Sequence, residues 1–263
     1  MQAPTVFDRR AYAARRARAA GTENFLAHDV AEVLAERLGT VNRSFGLALD
    51  LSTRPCIASK IAPFAHSWLR TGLSQDAITA AGACVVADEE FLPFPARRFD
   101  LIVSALSLQA VNDLPGALLQ IRHALAPDGF FLAALFGGAT LVELRRSLAA
   151  GENDVLGGAS PRVAPFAQLR DMAALLQRAG FVMPVADSET LHVRYRSFFT
   201  LAGDLRALGE TNVLAERSRN PLRRDVLSAA LAHYGANHRD EAGTLLATFE
   251  ILYLAGWAPA NAA

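Results

Sequence analysis

Acidic and hydroxyl side chains follow several short apolar segments of the sequence. Asp50 closes the segment LALD, Asp88 and Glu89 follow ACVVA, and Ser104 lies within FDLIVSAL. An acid at the end of a buried strand commonly contacts a nucleotide-like ligand, and a carboxylate such as Asp88 accepts a hydrogen bond from an exocyclic amine. Two other roles stay open: Asp50 as the cap of the next helix, and Asp88 as a solvated loop acid.

The elements that carry these residues alternate along the chain. The segments GLALDL, SWLRT, ACVVA, FDLIVSAL and FFLAALF predict five strands. Apolar residues at helical spacing predict helices between them, and Ser74 caps a short predicted helix that ends at Ala81. This alternation predicts an α/β fold with a mostly parallel sheet and helices on both faces. Ligands of such sheets bind beyond the carboxyl ends of the strands, where the acids are expected.

The C-terminal part of the sequence departs from this regular alternation of strands and helices. Residues 151–165 hold three glycines and two prolines and predict a loop, and the apolar run 245–257 predicts a closing strand. Without repeats or low-complexity linkers, we expect one domain over residues 1–263. It would have an N-terminal helical extension (1–40) and a helical insertion (197–241).

The first 20 residues carry five arginines and one acid. Mitochondrial presequences are similarly arginine-rich, but this segment contains no serine and leads directly into a helical pattern. We therefore expect it to be part of the folded chain, with its arginines on a solvated helical face.

The charges of the chain balance, with 26 basic and 26 acidic side chains. Zero net charge argues against broad nucleic-acid binding, which depends on excess positive charge. Lys60 is the only lysine, an arginine bias that fits either genome composition or selection for bidentate anion contacts. No run reaches the roughly 18 apolar residues of a membrane span. Two cysteines make no disulfide framework, so a bacterial cytoplasm is the expected compartment.

The sequence offers little support for other kinds of site, such as a metal site, a phosphate loop or a serine nucleophile. His238 and Asp240 have the His-x-Asp spacing of a non-haem iron site, but they fall in a predicted exposed turn, and no other metal spacing occurs. We therefore predict no metal site. The sequence also lacks a phosphate-loop motif and a Gly-x-Ser-x-Gly nucleophile elbow.

Residues 85–137, VVADEEFLPFPARRFDLIVSALSLQAVNDLPGALLQIRHALAPDGFFLAALFG, resemble the second half of a class I S-adenosylmethionine-dependent methyltransferase. The sequence resembles one branch of this superfamily more closely than the others, namely the arginine hydroxylases of mitochondrial complex I assembly and their alphaproteobacterial relatives. The segments that resemble this branch are VFDRRAYAARR, FGGATLVELRRSL, SPRVAPFAQLRDMAALLQRAGF, RALGETN and ATFEILYLAGW. The biotin-pathway carrier-protein methyltransferases are more distantly similar.

The resemblance implies a Rossmann-like, seven-stranded sheet whose last strand is antiparallel, with a helical insertion before that strand. It also implies S-adenosylmethionine as cofactor, and a protein substrate or a subunit of respiratory complex I as partner. By the family motifs, Asp50 falls at the methionine end of the cofactor, and Asp88 and Glu89 fall at the adenine end. The full set of expected cofactor contacts is Asp50, Leu51, Ser52, Gly72, Asp88, Glu89, Ser104 and Leu106.

Three positions depart from the family pattern. The loop Ser52–Cys56 contains no glycine, although a glycine-rich run lets the backbone approach the ligand closely. Arg54 in this loop would be unfavourable beside a sulfonium and favourable beside a carboxylate or phosphate. Gly72 stands where an acid would hold the ribose hydroxyls. Gln109-Ala110 replaces a His-Trp-like pair.

The expected substrate-side residues are Gln109, Asn112, Glu143 and Arg145. Glu143 and Arg145 follow the fifth predicted strand and either hold a charged substrate side chain or form a solvated helical face. Two functions stay open: an enzyme that uses S-adenosylmethionine, or a non-catalytic assembly factor of the same fold with a degenerate cofactor loop. Hydroxylation follows from the resemblance alone.

Overall fold

The computed structural model describes residues 5–52, 54–78 and 82–260. Helices and strands alternate within these ranges. The helices are α1 (Arg9–Arg18), α2 (Phe25–Thr40), α3 (Pro55–Ile61), α4 (Leu114–Ala124), α5 (Val142–Leu156), α6 (Leu169–Arg178), α7 (Phe198–Ala207) and α8 (Arg224–Asn237). The strands are β1 (Phe45–Asp50), β2 (Ala65–Gly72), β3 (Ala83–Val86), β4 (Phe99–Ala105), β5 (Leu125–Phe136), β6 (Val182–Tyr195) and β7 (Leu245–Trp257).

The strands form one seven-stranded sheet in the order β3-β2-β1-β4-β5-β7-β6. Strands β1 to β5 pair in parallel, whereas β7 is antiparallel to both β5 and β6. The α/β class, the strand number and the antiparallel last strand are therefore confirmed. The strand order reverses between β1 and β4, and a ligand crevice is expected where their carboxyl ends diverge.

The sheet separates two apolar cores because successive side chains of a strand point to opposite faces. Val103 and Leu132 pack on one face with α2, α5 and α8, while Ile102 and Phe131 pack on the other with α4 and α6. Covering both faces explains why β5 and β7 are nearly continuous apolar runs. None of the described helices is long and apolar enough to cross a membrane.

Helix α5 differs from the sequence-based prediction. The sequence predicts a loop for residues 151–156, but the helix continues through Gly151 to Leu156. A Cβ at Gly151 would lie 2.5 Å from the backbone nitrogen of Ala230, so the glycine allows α8 to pack directly against α5. The absence of a side chain at residue 151 therefore serves helix packing, and the helix ends only at Gly157, which has positive φ.

The segment after β2 also differs from its prediction. In place of a helix from Ser74, the structure has a short 3-10 turn at Gln75–Ala77. The end of that predicted helix, residues 79–81, lies outside the described ranges.

Helices α7 and α8 lie between β6 and β7, at the position of the expected insertion. The segment that follows α7 holds the N-terminal chain in place: the backbone amide of Asp8 donates to Val213, and that of Ala215 donates to Val6. The first helix is thereby brought over the carboxyl ends of the strands.

Candidate functional site

Asp50 lies at the carboxyl end of β1, fully buried. Its Oδ1 accepts a hydrogen bond of 2.8 Å from the amide of Ser52, and its Oδ2 lies 3.8 Å from Nε of Arg70. The hydroxyl of Ser52 accepts from the amide of Ala105 at 2.6 Å, which ties the loop after β1 to the end of β4. The side chain of Ser52 thus joins the two sides of the crevice directly.

The other residues expected near the cofactor are buried around the same strand ends. Leu51 donates from its amide to Val103 and is part of the apolar core. The hydroxyl of Ser104 lies 2.8 Å from that of Ser107. Leu106 has φ of 51°, an unusual backbone conformation for a leucine, directly after β4. Gly72 ends β2 and accepts from the amide of Ala87.

Asp88 and Glu89 are held by an arginine of the first helix. Nη2 of Arg9 lies 2.5 Å from Oδ1 of Asp88 and 2.5 Å from Oε2 of Glu89, and its Nη1 donates to the carbonyl of Ala110. Burial raises the pKa of Glu89, and the charge of Arg9 opposes that shift. The acids predicted at the adenine end are therefore ion-paired with α1.

A second arginine of α1 crosses the crevice between β1 and β4. Arg16 donates to the carbonyl of Ser52 at 3.0 Å and to that of Leu106 at 3.2 Å. Arg54, in the loop after β1, is 8% exposed and donates to the carbonyl of Leu208 at 2.6 Å. Burial, followed by repulsion from Arg16, lowers the pKa of Arg54 to about 9. The expectation that the N-terminal arginines form a solvated face is wrong for Arg9 and Arg16.

A buried carboxylate, Glu210, joins this crevice to a neighbouring cavity. Its Oε1 accepts from Gln109 Nε2 at 2.8 Å and from the Tyr12 hydroxyl at 3.3 Å, and it lies 3.8 Å from Nη1 of Arg16. Burial raises the pKa of Glu210 and that of the Tyr12 phenol. A carboxyl group with a raised pKa in a polar cluster is suited to take up or release a proton.

The cavity beside Glu210 has a volume of about 170 Å³. Its walls are largely apolar and include Leu144, Phe166 and Leu205. Gln109 and Glu210 also line it, and Oε1 of Gln109 is a buried atom with no hydrogen-bond partner among the described residues. The site combines apolar walls with hydrogen-bond acceptors, an arrangement typical of small-ligand and side-chain pockets.

Of the four expected substrate-side residues, the structure places Gln109 in this cavity and the other three elsewhere. Asn112 accepts from the amides of Val6 and Phe7 and holds the N-terminal segment. Glu143 accepts from the amide and hydroxyl of Thr248 on β7. Arg145 donates to the carbonyl of Ala164, at the loop that borders the cavity.

Sequence reasoning missed Glu210 because it lies far along the chain from the strand ends. The branch-like segment RALGETN contains it and was the available signal. The second missed set is the inward face of α1, where Arg9, Tyr12 and Arg16 recur at intervals of three and four residues. No cluster of three or more potential metal-ligating side chains occurs in the described part of the chain.

Comparison with known proteins identifies the family of this architecture. Residues 14–184 match the family described as a methyltransferase domain. The chain belongs to the methyltransferase domain family. Solved structures share this fold: YcgJ of Bacillus subtilis superimposes with a TM-score of 0.60 and 13% identity, over 87% of this chain and 98% of that one.

Other known proteins are similar over most of the chain, two in sequence and one in fold. The human arginine-hydroxylase NDUFAF5, mitochondrial, is 40% identical over 245 residues, which cover 89% of this chain and 70% of that protein. The malonyl-[acyl-carrier protein] O-methyltransferase of Halorhodospira halophila is 37% identical over 66% of this chain and 57% of its own length. The phosphoethanolamine N-methyltransferase 2 of Haemonchus contortus, solved with S-adenosylhomocysteine, has 15% identity and a TM-score of 0.53, over 87% of this chain and 52% of that one.

Proposed function

We propose that this methyltransferase-domain protein acts on an arginine side chain of a partner protein during assembly of respiratory complex I, as its NDUFAF5 relatives suggest. The observation that supports this function is the cavity closed by Gln109 and Glu210. An arginine side chain combines an apolar stem with five N–H donors. The cavity offers the complementary surfaces, apolar walls for the stem and buried acceptors for the guanidinium.

The hydrogen-bond acceptors of the cavity lining favour the same assignment. The Glu210 carboxylate is the acidic group of the cavity lining. Of the two arginines that line it, Arg162 is ion-paired with the buried Glu152, while Arg206 adds a positive charge from α7. A substrate guanidinium would donate hydrogen bonds to Glu210 and Gln109, in competition with Arg16, whose Nη1 lies 3.8 Å from Oε1 of Glu210. The raised pKa of Glu210 suits its carboxylate to hold a proton released from a substrate N–H.

The cofactor implied by the family fits the polar groups of the crevice. Asp88 and Glu89 offer acceptors at one end, and Arg16 and Arg54 offer donors at the other. The space for a cofactor is small, because Arg16 bridges both sides of the crevice, and the cavity beside Arg54 measures only about 30 Å³. Pockets for drug-sized ligands measure roughly 300–1,000 Å³. Binding of S-adenosylmethionine would therefore require α1 to shift, and the bound cofactor would supply an electrophilic methyl group.

A second candidate function, the non-catalytic assembly factor, is favoured by the same contacts of α1. Arg9 is ion-paired with Asp88 and Glu89, the two acids expected at the adenine end, and Arg54 lies in the loop where the family carries glycine. In this alternative, the fold serves only as a surface that binds a complex I subunit. The bacterial cytoplasm remains the predicted compartment for either function.

Mass spectrometry of complex I separates these functions. Complex I is purified from cells with and without the gene, and the arginine-containing peptides of its subunits are compared. An arginine that is lighter by one oxygen atom, or by one CH2 unit, in the deletion strain supports the enzyme and identifies its reaction as hydroxylation or methylation. Identical peptides from both strains, together with a lower amount of complex I in the deletion strain, would contradict the enzyme and support the non-catalytic assembly factor. Calorimetric titration with S-adenosylhomocysteine tests the cofactor, and no heat at millimolar ligand would exclude it.

A further inference from the structure

Two buried arginines from different parts of the chain converge at the end of β1. Arg16 comes from α1 and Arg54 from the loop after β1. Both line the cavity of about 30 Å³, together with Ser52 and Thr22. The side chain of Arg16 is 9% exposed, similar to that of Arg54. Such burial is unusual for arginine unless its charge is compensated.

The charge of this pair is not balanced by the groups that face it. Glu210 is the carboxylate nearest to Arg16, and its raised pKa weakens the ionised form. Tyr12 and Cys56 also face the arginines, and burial raises their pKa values as well, which favours their neutral forms. Glu23 lies at the cavity edge, where its exposed carboxylate contacts His28. Two guanidinium groups therefore share one buried carboxylate, an arrangement that costs folding free energy unless an anion joins it.

Hydrogen bonding leaves donors available for such an anion. Arg54 uses Nη2 to reach the carbonyl of Leu208, while its Nε is a buried donor with no hydrogen-bond partner among the residues that the structure describes. The cavity beside it is large enough for about two water-sized atoms, since one water requires roughly 10–15 Å³. Two such positions match the two oxygens of a carboxylate or two of those of a phosphate.

We propose that Arg16 and Arg54 form a binding site for an oxyanion, the carboxylate or phosphate of the ligand that occupies the crevice. The arginine in place of the usual glycine then replaces backbone donors with a charged side chain, which binds oxyanions more strongly. The identity of the molecule that carries the anion rests on the proposed function, but the anion site itself does not. The site predicts that small anions bind to the protein, whether or not an adenosyl compound also binds.

Thermal unfolding of the full-length protein tests the site itself. Unfolding is followed at pH 7 in sodium formate, sodium phosphate or sodium chloride of equal ionic strength. Formate or phosphate should raise the Tm of the wild type by about 3 °C or more relative to chloride. Arg54→Gln and Arg16→Gln should lose this increase. Arg18→Gln removes the same charge from an exposed position of α1 and should keep it.

Calorimetry then identifies the carrier of the anion. S-adenosylhomocysteine is compared with 5′-methylthioadenosine, which lacks the carboxylate, and adenosine monophosphate is compared with adenosine. We expect one anionic ligand to bind about tenfold more tightly than its neutral counterpart in the wild type and equally in Arg54→Gln. Anion stabilisation without any adenosyl binding would retain the site and exclude the proposed cofactor. Equal Tm responses of the wild type and both glutamine variants would overturn the site.

Discussion

Nη2 of Arg9 lies 2.5 Å from Oδ1 of Asp88, so an arginine near the N-terminus is paired with an acid at the end of β3. The same nitrogen lies 2.5 Å from Oε2 of Glu89, whose side chain is only 6% exposed. This contact fixes α1 across the crevice and places one positive charge beside both acids that the family pattern assigns to the adenine end. Access to the crevice and stability of the N-terminal helix are therefore coupled through one guanidinium.

Replacement of Arg9 should destabilise the protein strongly. Arg9→Met leaves the buried Glu89 without its ion pair, and we expect the free energy of unfolding to fall by about 2–3 kcal/mol. Arg10→Met, which removes an exposed arginine of the same helix, should change it by less than about 0.5 kcal/mol. Urea denaturation measures both variants. Equal effects of the two substitutions would show that the Arg9 ion pairs contribute nothing specific.

Replacement of Arg54 should have the opposite effect. Its charge is buried, and the lowered pKa means that the folded state disfavours the protonated form. Arg54→Met should therefore raise the free energy of unfolding at pH 7 by about 1–2 kcal/mol, after loss of the hydrogen bond to Leu208.

The pH dependence of the Arg54→Met effect follows from the same pKa. Below about pH 9 the folded wild type carries the full cost of the buried charge. Above pH 9, folded Arg54 releases its proton while the unfolded chain keeps it, so the wild type gains stability relative to the variant. Denaturation at pH 7 and pH 10 should show a smaller difference at pH 10. A difference that grows with pH would contradict this assignment.

Modification of the partner protein should depend on Gln109. Gln109→Met keeps the side-chain size but removes the amide that donates to Glu210 and the buried acceptor in the cavity. We expect the modified fraction of the target arginine to fall at least about tenfold, because a polar pocket group is lost. Gln177→Met, at an exposed position of α6, is the matched control. Mass spectrometry of complex I from cells complemented with each variant measures the fraction; full modification with Gln109→Met would place substrate binding elsewhere.

Two helical glycines should respond oppositely to alanine. A Cβ at Gly151 would meet the backbone of Ala230 at 2.5 Å, so Gly151→Ala should lower the free energy of unfolding by about 1–3 kcal/mol. Gly203 in α7 has open space around its Cα, and Gly203→Ala should raise it by roughly 0.5–1 kcal/mol. Denaturation curves of the two variants provide the comparison. Stabilisation by Gly151→Ala would mean that α5 and α8 pack less closely than observed.

The sequence by itself determined the order of the elements. Alternation of short apolar runs and helical periodicity predicted the parallel sheet, and β7 at Leu245–Trp257 has the predicted bounds. It also located Asp50 and Asp88 at strand ends, because both follow directly on apolar runs whose ends converge in a parallel sheet. These patterns are local, so they can be recognised in the sequence without knowledge of distant contacts.

Only the tertiary structure decided what these acids contact. The partners Arg9 and Asp88 are 79 residues apart, and Arg54 meets the carbonyl of Leu208 across 154 residues. A surface arginine and a buried one have the same local sequence pattern, since burial depends on which segment packs above them. The structure thus separates Arg9, Arg16 and Arg54 from the solvated arginines of the chain, because their charges are enclosed where α1 crosses the strand ends.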